Sequence, residues 1–518
     1  MKIAAALLRP SFVWEEFLRQ EGFPFRVMEH GEGWSAERQS LLIVTRPLTA
    51  DEQETVRQCL RGGGAVLGCA RDLREIAGVA PGQGRIEYLL GEGSGLFGSV
   101  GLVDLGFEGE IPREARLLRT ESNTFAVFAG ELLGGMAVIL PFDPESALGD
   151  GRPAMKNFYS RIERLPAERV SLVAKGEVRH LLRQSMEFLH LSRGLPYVHL
   201  WYFPGAAKNL FAFRVDTDFA EKGDIDALYA LARSHMMGLT WFIDVESHRS
   251  LLTHFRSMVG QEFGVHCYTH AVDPLEEPNR RNFGKAKQIL RDAGFDARGL
   301  AAPYGIWNPA LARVTVELGF SYSSEFSWAY DTLPGRPATA ACVYDVLQVP
   351  IHPICVGSLR KAGHSESQMR EYFNLMLEWK SARSEPLIFY HHPSDRHWGV
   401  LEELFRQADE RGALKTTLGG YAAWWGRRTG TSVDVVARGE VLDLEYDAER
   451  GGDNLSLRVV RAPGKESLAG LSPRIELRAL EWKERLAFLP PSDLRRTREF
   501  DTRTLLAEIH ARMTRRAR

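Results

Sequence analysis

Between residues 206 and 426 about seven strand-like segments recur, most followed by a helix-like one, and few folds accommodate that rhythm. The strands are LFAFRVDTD, GLTWFID, EFGVHCY, RGLAAPYG, FSYSSEF, VLQVPI and PLIFYHH. The helices include DIDALYALARSHM, NRRNFGKAKQILRDAG and SQMREYFNLMLEWKSAR. The pattern predicts a distorted (β/α)7-type barrel over 206–426. Barrels of this kind carry their chemistry at the C-terminal ends of strands, and the Asp and His residues of these segments stand there.

A chain of 518 residues exceeds one ordinary domain. In residues 1–145, KIAAALL, SLLIVT and AVLGC read as buried strands. SFVWEEFLRQEG and TADEQETVRQCLRGGG read as helices, the second with Thr49 as N-cap. This alternation predicts an α/β domain on a doubly wound parallel sheet, with FAVFAGELLGGMAVILPFD as a hairpin or meander. Residues 146–205 read as a helical connector, with PAERVSLVAKGEVRHLLRQSMEFLHLSRGLP as one helix closed by Gly194 and Pro196. Residues 430–518 alternate apolar and polar positions with Gly turns, which predicts a β-rich module. A basic C-terminal helix follows from Arg495.

The formal net charge of −2 provides no general attraction to nucleic acid or to an anionic membrane. No apolar run reaches the roughly 18 residues of a transmembrane segment. The five cysteines are scattered, with no CxxC pair, and MKIAAALLRP reads as a first strand rather than a leader. Together these predict a reduced, cytoplasmic protein.

FAFRVDTDFA, residues 211–220, is unusual for a buried strand. A side-chain period of two sends Arg214, Asp216 and Asp218 to one face and Phe213, Val215 and Thr217 to the other. Charges are rarely buried unless paired or bound to a metal, so the stretch is either an ion-paired strand or half of a site. EFGVHCYTH offers the other half. His266 and His270, four residues apart, bring two imidazoles within reach of one ion. With Asp218 they supply two nitrogens and one oxygen and leave a position open for water or substrate. The pattern is not the zincin motif, because Cys267 stands where HExxH needs Glu.

In order and spacing, residues 206–426 resemble the polysaccharide deacetylases of the carbohydrate esterase 4 type, a superfamily that includes allantoinase-like amidohydrolases. VDTD resembles the first motif, EFGVHCYTH the second, AAPYG the third, EFSWAYDTLP the fourth and LIFYHHP the last. The resemblance implies one divalent metal ion on Asp218, His266 and His270, with zinc expected and cobalt, nickel or iron as alternatives. It implies Asp216 as catalytic base and a general acid at His392 or His391, with His392 preferred. Pro303, Tyr304 and Trp328 would line the substrate. The implied reaction removes N-acetyl groups from a sugar of a glycan or glycoconjugate. The third motif's arginine, which in the family orients the base, is Ala301 here, and Arg214 is placed to take over its task. Two alternatives stand beside this reading: an amidohydrolase acting on a small non-sugar amide, and a catalytically silent carbohydrate-binding protein, motivated by Ala301.

Residues 1–145 resemble class I glutamine amidotransferase-like folds, but only His30 accompanies Cys69 there and no G-x-C-x-G occurs. Cys69 is therefore expected to be a buried small side chain rather than a nucleophile. Gly62–Gly64 lies between helix and strand and is expected to be a helix stop, not a phosphate loop.

Overall fold

The computed structural model describes residues 1–91, 93, 95–158, 166–447, 454–461, 464–485 and 506. Apart from Leu506, the basic C-terminal helix expected from Arg495 lies outside them.

The first sheet has nine strands. Phe25–Val27, Ala5–Leu7, Leu41–Ile43, Ala65–Cys69 and Gly135–Leu140 run parallel, in that spatial order. Phe125–Leu132, Leu117–Thr120, Val79–Leu90 and Leu102–Pro112 extend the sheet antiparallel. The expected doubly wound parallel sheet is thus a mixed one. Parallel neighbours need a long crossover, whereas Phe125–Leu132 and Gly135–Leu140 are joined by Leu133 and Gly134 alone, both at positive φ (53° and 89°). Helices cover the parallel half. Ser11 caps Phe12–Glu21, and Thr49 and Glu52 form a capping box on Ala50–Arg61. Cys69 is buried, and burial followed by the Asp72 charge pushes its thiol well above the ordinary range.

The connector departs from the single helix expected. Ala167–Ser171 is a strand, antiparallel to Pro153–Asn157, and the helix runs over Lys175–Leu191. Strand pairing prevails over helix propensity in AERVS, whose Val170 enters the core of the next domain.

The central sheet has eight strands, all parallel. Its path runs Leu347–Gln348, Tyr322–Ser323, Gly299–Leu300, Glu262–Cys267, Thr240–Asp244, Leu210–Asp216, Leu387–His391, with Leu414–Lys415 alongside Leu210–Phe211. It forms a parallel half-barrel with helices between its strands, and the main-chain N–H of His352 donates to Ile388 O (2.9 Å) across its ends.

The C-terminal strands form two small antiparallel sheets. One joins Val433–Arg438, Val441–Tyr446 and Arg474–Glu476. The other joins Ser456–Arg461, Lys465–Gly470 and Lys483–Glu484 to Tyr197–Leu200, which precedes the half-barrel. Val435, Leu442, Leu457 and Val459 share one core with Ile3, Leu7 and Phe23 of the first domain. No helix among the described residues is long and apolar enough to cross a membrane.

Candidate metal centre

Leu210–Asp216 is the strand on which the site is built, and all seven of its residues are buried. Phe211 and Phe213 stack on one another and pack edge-on against Phe405. The alternation sends Arg214 and Asp216 to the opposite face. There the Arg214 fork closes on Asp216, Nε to Oδ1 at 2.7 Å and Nη2 to Oδ2 at 2.5 Å. Its Nη1 donates to Ser324 O. The rings of Phe242 and Tyr390 flank the guanidinium, 5.5 and 5.6 Å from their centroids. Ala301, at the motif position of the missing arginine, is fully buried.

The strand ends at Asp216, so Asp218 does not simply continue its face. It turns in through left-handed backbone, with φ of 24° at Asp218 and 57° at Phe219. Thr217 pins this turn: its N–H donates to Phe242 O (3.1 Å), and its hydroxyl accepts from Asp244 N (2.9 Å). Asp218 Oδ1 then lies 2.9 Å from His266 Nε2 and 3.3 Å from His270 Nε2.

His266 is the penultimate residue of the strand Glu262–Cys267, and its Nδ1–H donates to Ala301 O at 2.6 Å. A carbonyl can only accept, so neutral His266 presents the Nε2 lone pair toward Asp218. His270 sits in the turn after that strand, on neither helix nor strand. Asn282 fixes the turn: its Oδ1 accepts from Tyr268 N and Thr269 N (2.9 and 2.8 Å), and its Nδ2 donates to Thr269 O and Ala271 O (2.7 and 2.9 Å).

Asp218 Oδ1, His266 Nε2 and His270 Nε2 are buried, and none makes a hydrogen bond among the described residues. With both imidazoles neutral and unprotonated at Nε2, these three atoms, within 4.8 Å of one another, suit a cation. The residues present therefore fit a divalent metal with two imidazoles and one carboxylate.

The two histidines of LIFYHHP part company. His392 Nε2 lies 3.4 Å from Asp218 Oδ2, and its Nδ1 lies 3.4 Å from Asp395 Oδ2. Burial would lower its pKa, but the Asp218 charge and the Asp395 contact outweigh this and hold it well above the ordinary range. His391 is fully buried, neither ring nitrogen has a partner among the described residues, and burial pushes its pKa down to about 3.

Pro303 opens the turn Pro303–Gly305, where Tyr304 stands at φ 58° with its ring 4.8 Å from that of His270. Trp328 is not brought to the cluster. It is buried against Trp307, with Lys175 Nζ over its ring, on the side facing residues 1–150.

Sequence reasoning missed four participants: Phe219, 65% exposed with its ring 5.7 Å from His270, together with Asp395, Cys355 and Asn282. The Asp395 position was open to inference, three residues beyond His392 and after a proline that forces a turn. Nothing local in the sequence signals Cys355 or Asn282.

No protein-family model matches the chain, and neither does any curated protein. Among solved structures, a probable polysaccharide deacetylase from Pseudomonas aeruginosa PAO1 is 17% identical, covering 44% of this chain and 93% of that one (TM-score 0.37). The Puue allantoinase is 16% identical over 43% and 92% (TM-score 0.37). A family 4 carbohydrate esterase from Streptomyces lividans, in complex with acetate, is 14% identical over 40% and 93% (TM-score 0.29).

Proposed function

We propose that this protein is a metal-dependent hydrolase that removes N-acetyl groups from a sugar of a glycan or glycoconjugate. The observation that carries the reading is the convergence of Asp218 Oδ1, His266 Nε2 and His270 Nε2 without a donor, beside an arginine-gripped carboxylate and a carboxylate-backed histidine. Asp218, His266 and His270 would hold the ion, with zinc expected first. When bound it supplies Lewis acidity, which lowers the pKa of water and polarises a carbonyl.

The protein's own groups divide the remaining work. Asp216 accepts the proton of the attacking water, and the Arg214 fork fixes both of its oxygens so that one orientation is presented. His392, backed at Nδ1 by Asp395, gives a proton from Nε2 to the departing amine. The exposed rings of Phe219 and Tyr304 flank His270 and suit the apolar face of a sugar.

The test is metal content by plasma mass spectrometry together with acetate release from a panel of acetylated glycans and small amides. The wild type should carry about one divalent ion per chain, and Asp218→Ala and His266→Ala should lose it. Asp216→Asn should keep the ion and lose acetate release. A protein that stays metal-free after loading would sink the reading, and turnover of small amides alone would redirect it to the amidohydrolase alternative.

A further inference from the structure

Away from the metal centre, a cavity of about 60 Å³ lies between the helix Phe12–Glu21 and the segment 328–350 of the half-barrel. Glu16, Phe17, Lys175, Trp328, Arg336 and Gln348 are among its walls. Lys175 opens the 17-residue helix Lys175–Leu191, whose N-cap, Ala174, has no side chain able to cap it. The Lys175 side chain lines the cavity from a position 5% exposed, and its Nζ makes no hydrogen bond among the described residues.

The surrounding carboxylates are already engaged. Glu16 accepts from Arg336 Nε and Nη2 at 3.2 and 3.0 Å, and Asp150 is held by Arg152 Nε and Nη2 at 3.0 and 2.8 Å. Asp331, whose backbone carbonyl abuts Gly176, gives its carboxylate to Lys380 and His352. The cavity therefore keeps one uncompensated amine. The Trp328 ring, 3.0 Å from Nζ at its centroid, attracts the charge on one side but offers no lone pair to its N–H groups. A buried ammonium with three donors and no acceptor is costly, and a small anion in the cavity supplies the missing acceptor. Burial pushes the Lys175 amine well below its ordinary range and the Asp150 charge does not reverse this, so a carboxylate enters together with the proton that makes the lysine an ammonium.

We infer that this cavity, at the junction of the first domain and the half-barrel, is a binding site for a small monocarboxylate of formate or acetate size, held by Lys175 at the N-terminus of its helix. The volume admits a few waters or one such anion, and its apolar walls, Phe17 and Trp328, suit a methyl group better than a second charge. The inference does not depend on the reaction proposed for the metal centre.

The test is thermal unfolding of the full chain in sodium acetate, sodium formate or sodium phosphate, against sodium chloride of equal ionic strength. Acetate should raise the midpoint saturably, by about 2 °C, beyond chloride and phosphate. Lys175→Met should abolish that rise, and so should Ala338→Leu, which adds volume at the cavity wall and keeps the lysine. Asp218→Ala, which dismantles the metal centre, should retain it. An acetate response no larger than that to chloride or phosphate overturns the inference. So does a response that survives in either cavity variant or disappears in Asp218→Ala.

Discussion

Arg214 and Asp216, two residues apart on one strand, meet in a two-point grip, Nε to Oδ1 and Nη2 to Oδ2, at full burial of the guanidinium. The grip combines a planar fork with a planar carboxylate, which a lysine cannot reproduce. Arg214→Lys should therefore lower kcat for acetate release by about tenfold, and Arg214→Met by about a hundredfold. Metal content should stay at the wild-type level in both. Arg214→Met also strands a buried carboxylate, at a cost of roughly 3–5 kcal/mol that urea unfolding would read.

His392 and His391 should behave oppositely. His392→Ala should lower kcat by about a hundredfold or more. His391→Leu should leave activity within about twofold, because a buried imidazole with no hydrogen bond among the described residues is replaced by an apolar side chain of similar size. The pH profile adds a signed test. Asp395 helps hold the His392 pKa up, so activity that needs protonated His392 persists to alkaline pH, and Asp395→Asn should move the alkaline limb of kcat to lower pH.

Stability should fall in mild acid through His190. Burial lowers its pKa to about 4, against an ordinary unfolded value of about 6.5. Its folded pKa is depressed, so the unfolded chain takes the proton first. The stability is fully present above the unfolded value and is lost as pH falls toward the folded one. Between pH 7 and pH 5 the loss is about 2 kcal/mol, and His190→Gln should remove that part of the slope in urea titrations at the two pH values.

The exposed rings at the rim should act on binding rather than chemistry. Phe219→Ala and Tyr304→Ala should each raise KM for a saccharide by about five- to tenfold with kcat nearly unchanged. Equal loss for a small amide would argue against sugar stacking.

Asn282 touches no candidate ligand directly, yet four of its hydrogen bonds shape the turn that carries His270. Asn282→Ala should weaken metal retention by about 10- to 100-fold in a chelator competition while the fold persists.

The period-two reading of FAFRVDTDFA locates Arg214 and Asp216 on one face, because alternation is a property of any extended chain. It fails one turn later at Asp218, whose backbone leaves the strand, and positive φ at an aspartate and a phenylalanine has no simple sequence signature. The spacing of His266 and His270 signals a pair, but the turn that unites them depends on Asn282 of the following helix, whose side-chain direction no local motif announces. Trp328 reads as a pocket aromatic because of its neighbours in sequence, while packing against Trp307 and Lys175 decides its place. The antiparallel half of the first sheet is harder still: short apolar runs separated by glycine do not declare their pairing direction, and only the Leu133–Gly134 hairpin is local.

The first sheet and the last strands are bound early to late. Ile3 N–H donates to Val435 O at 2.8 Å, and Lys2 bridges Val436, more than 430 residues downstream. During synthesis the segment around Ile3 therefore waits for some 430 further residues before its core is complete. Closing so long a loop is entropically expensive and slow. In the interval the apolar faces of Ile3 and Phe23 remain open to chaperones or to a neighbouring nascent chain, which makes the emergence of Val433–Tyr446 the step that commits this region to its native state.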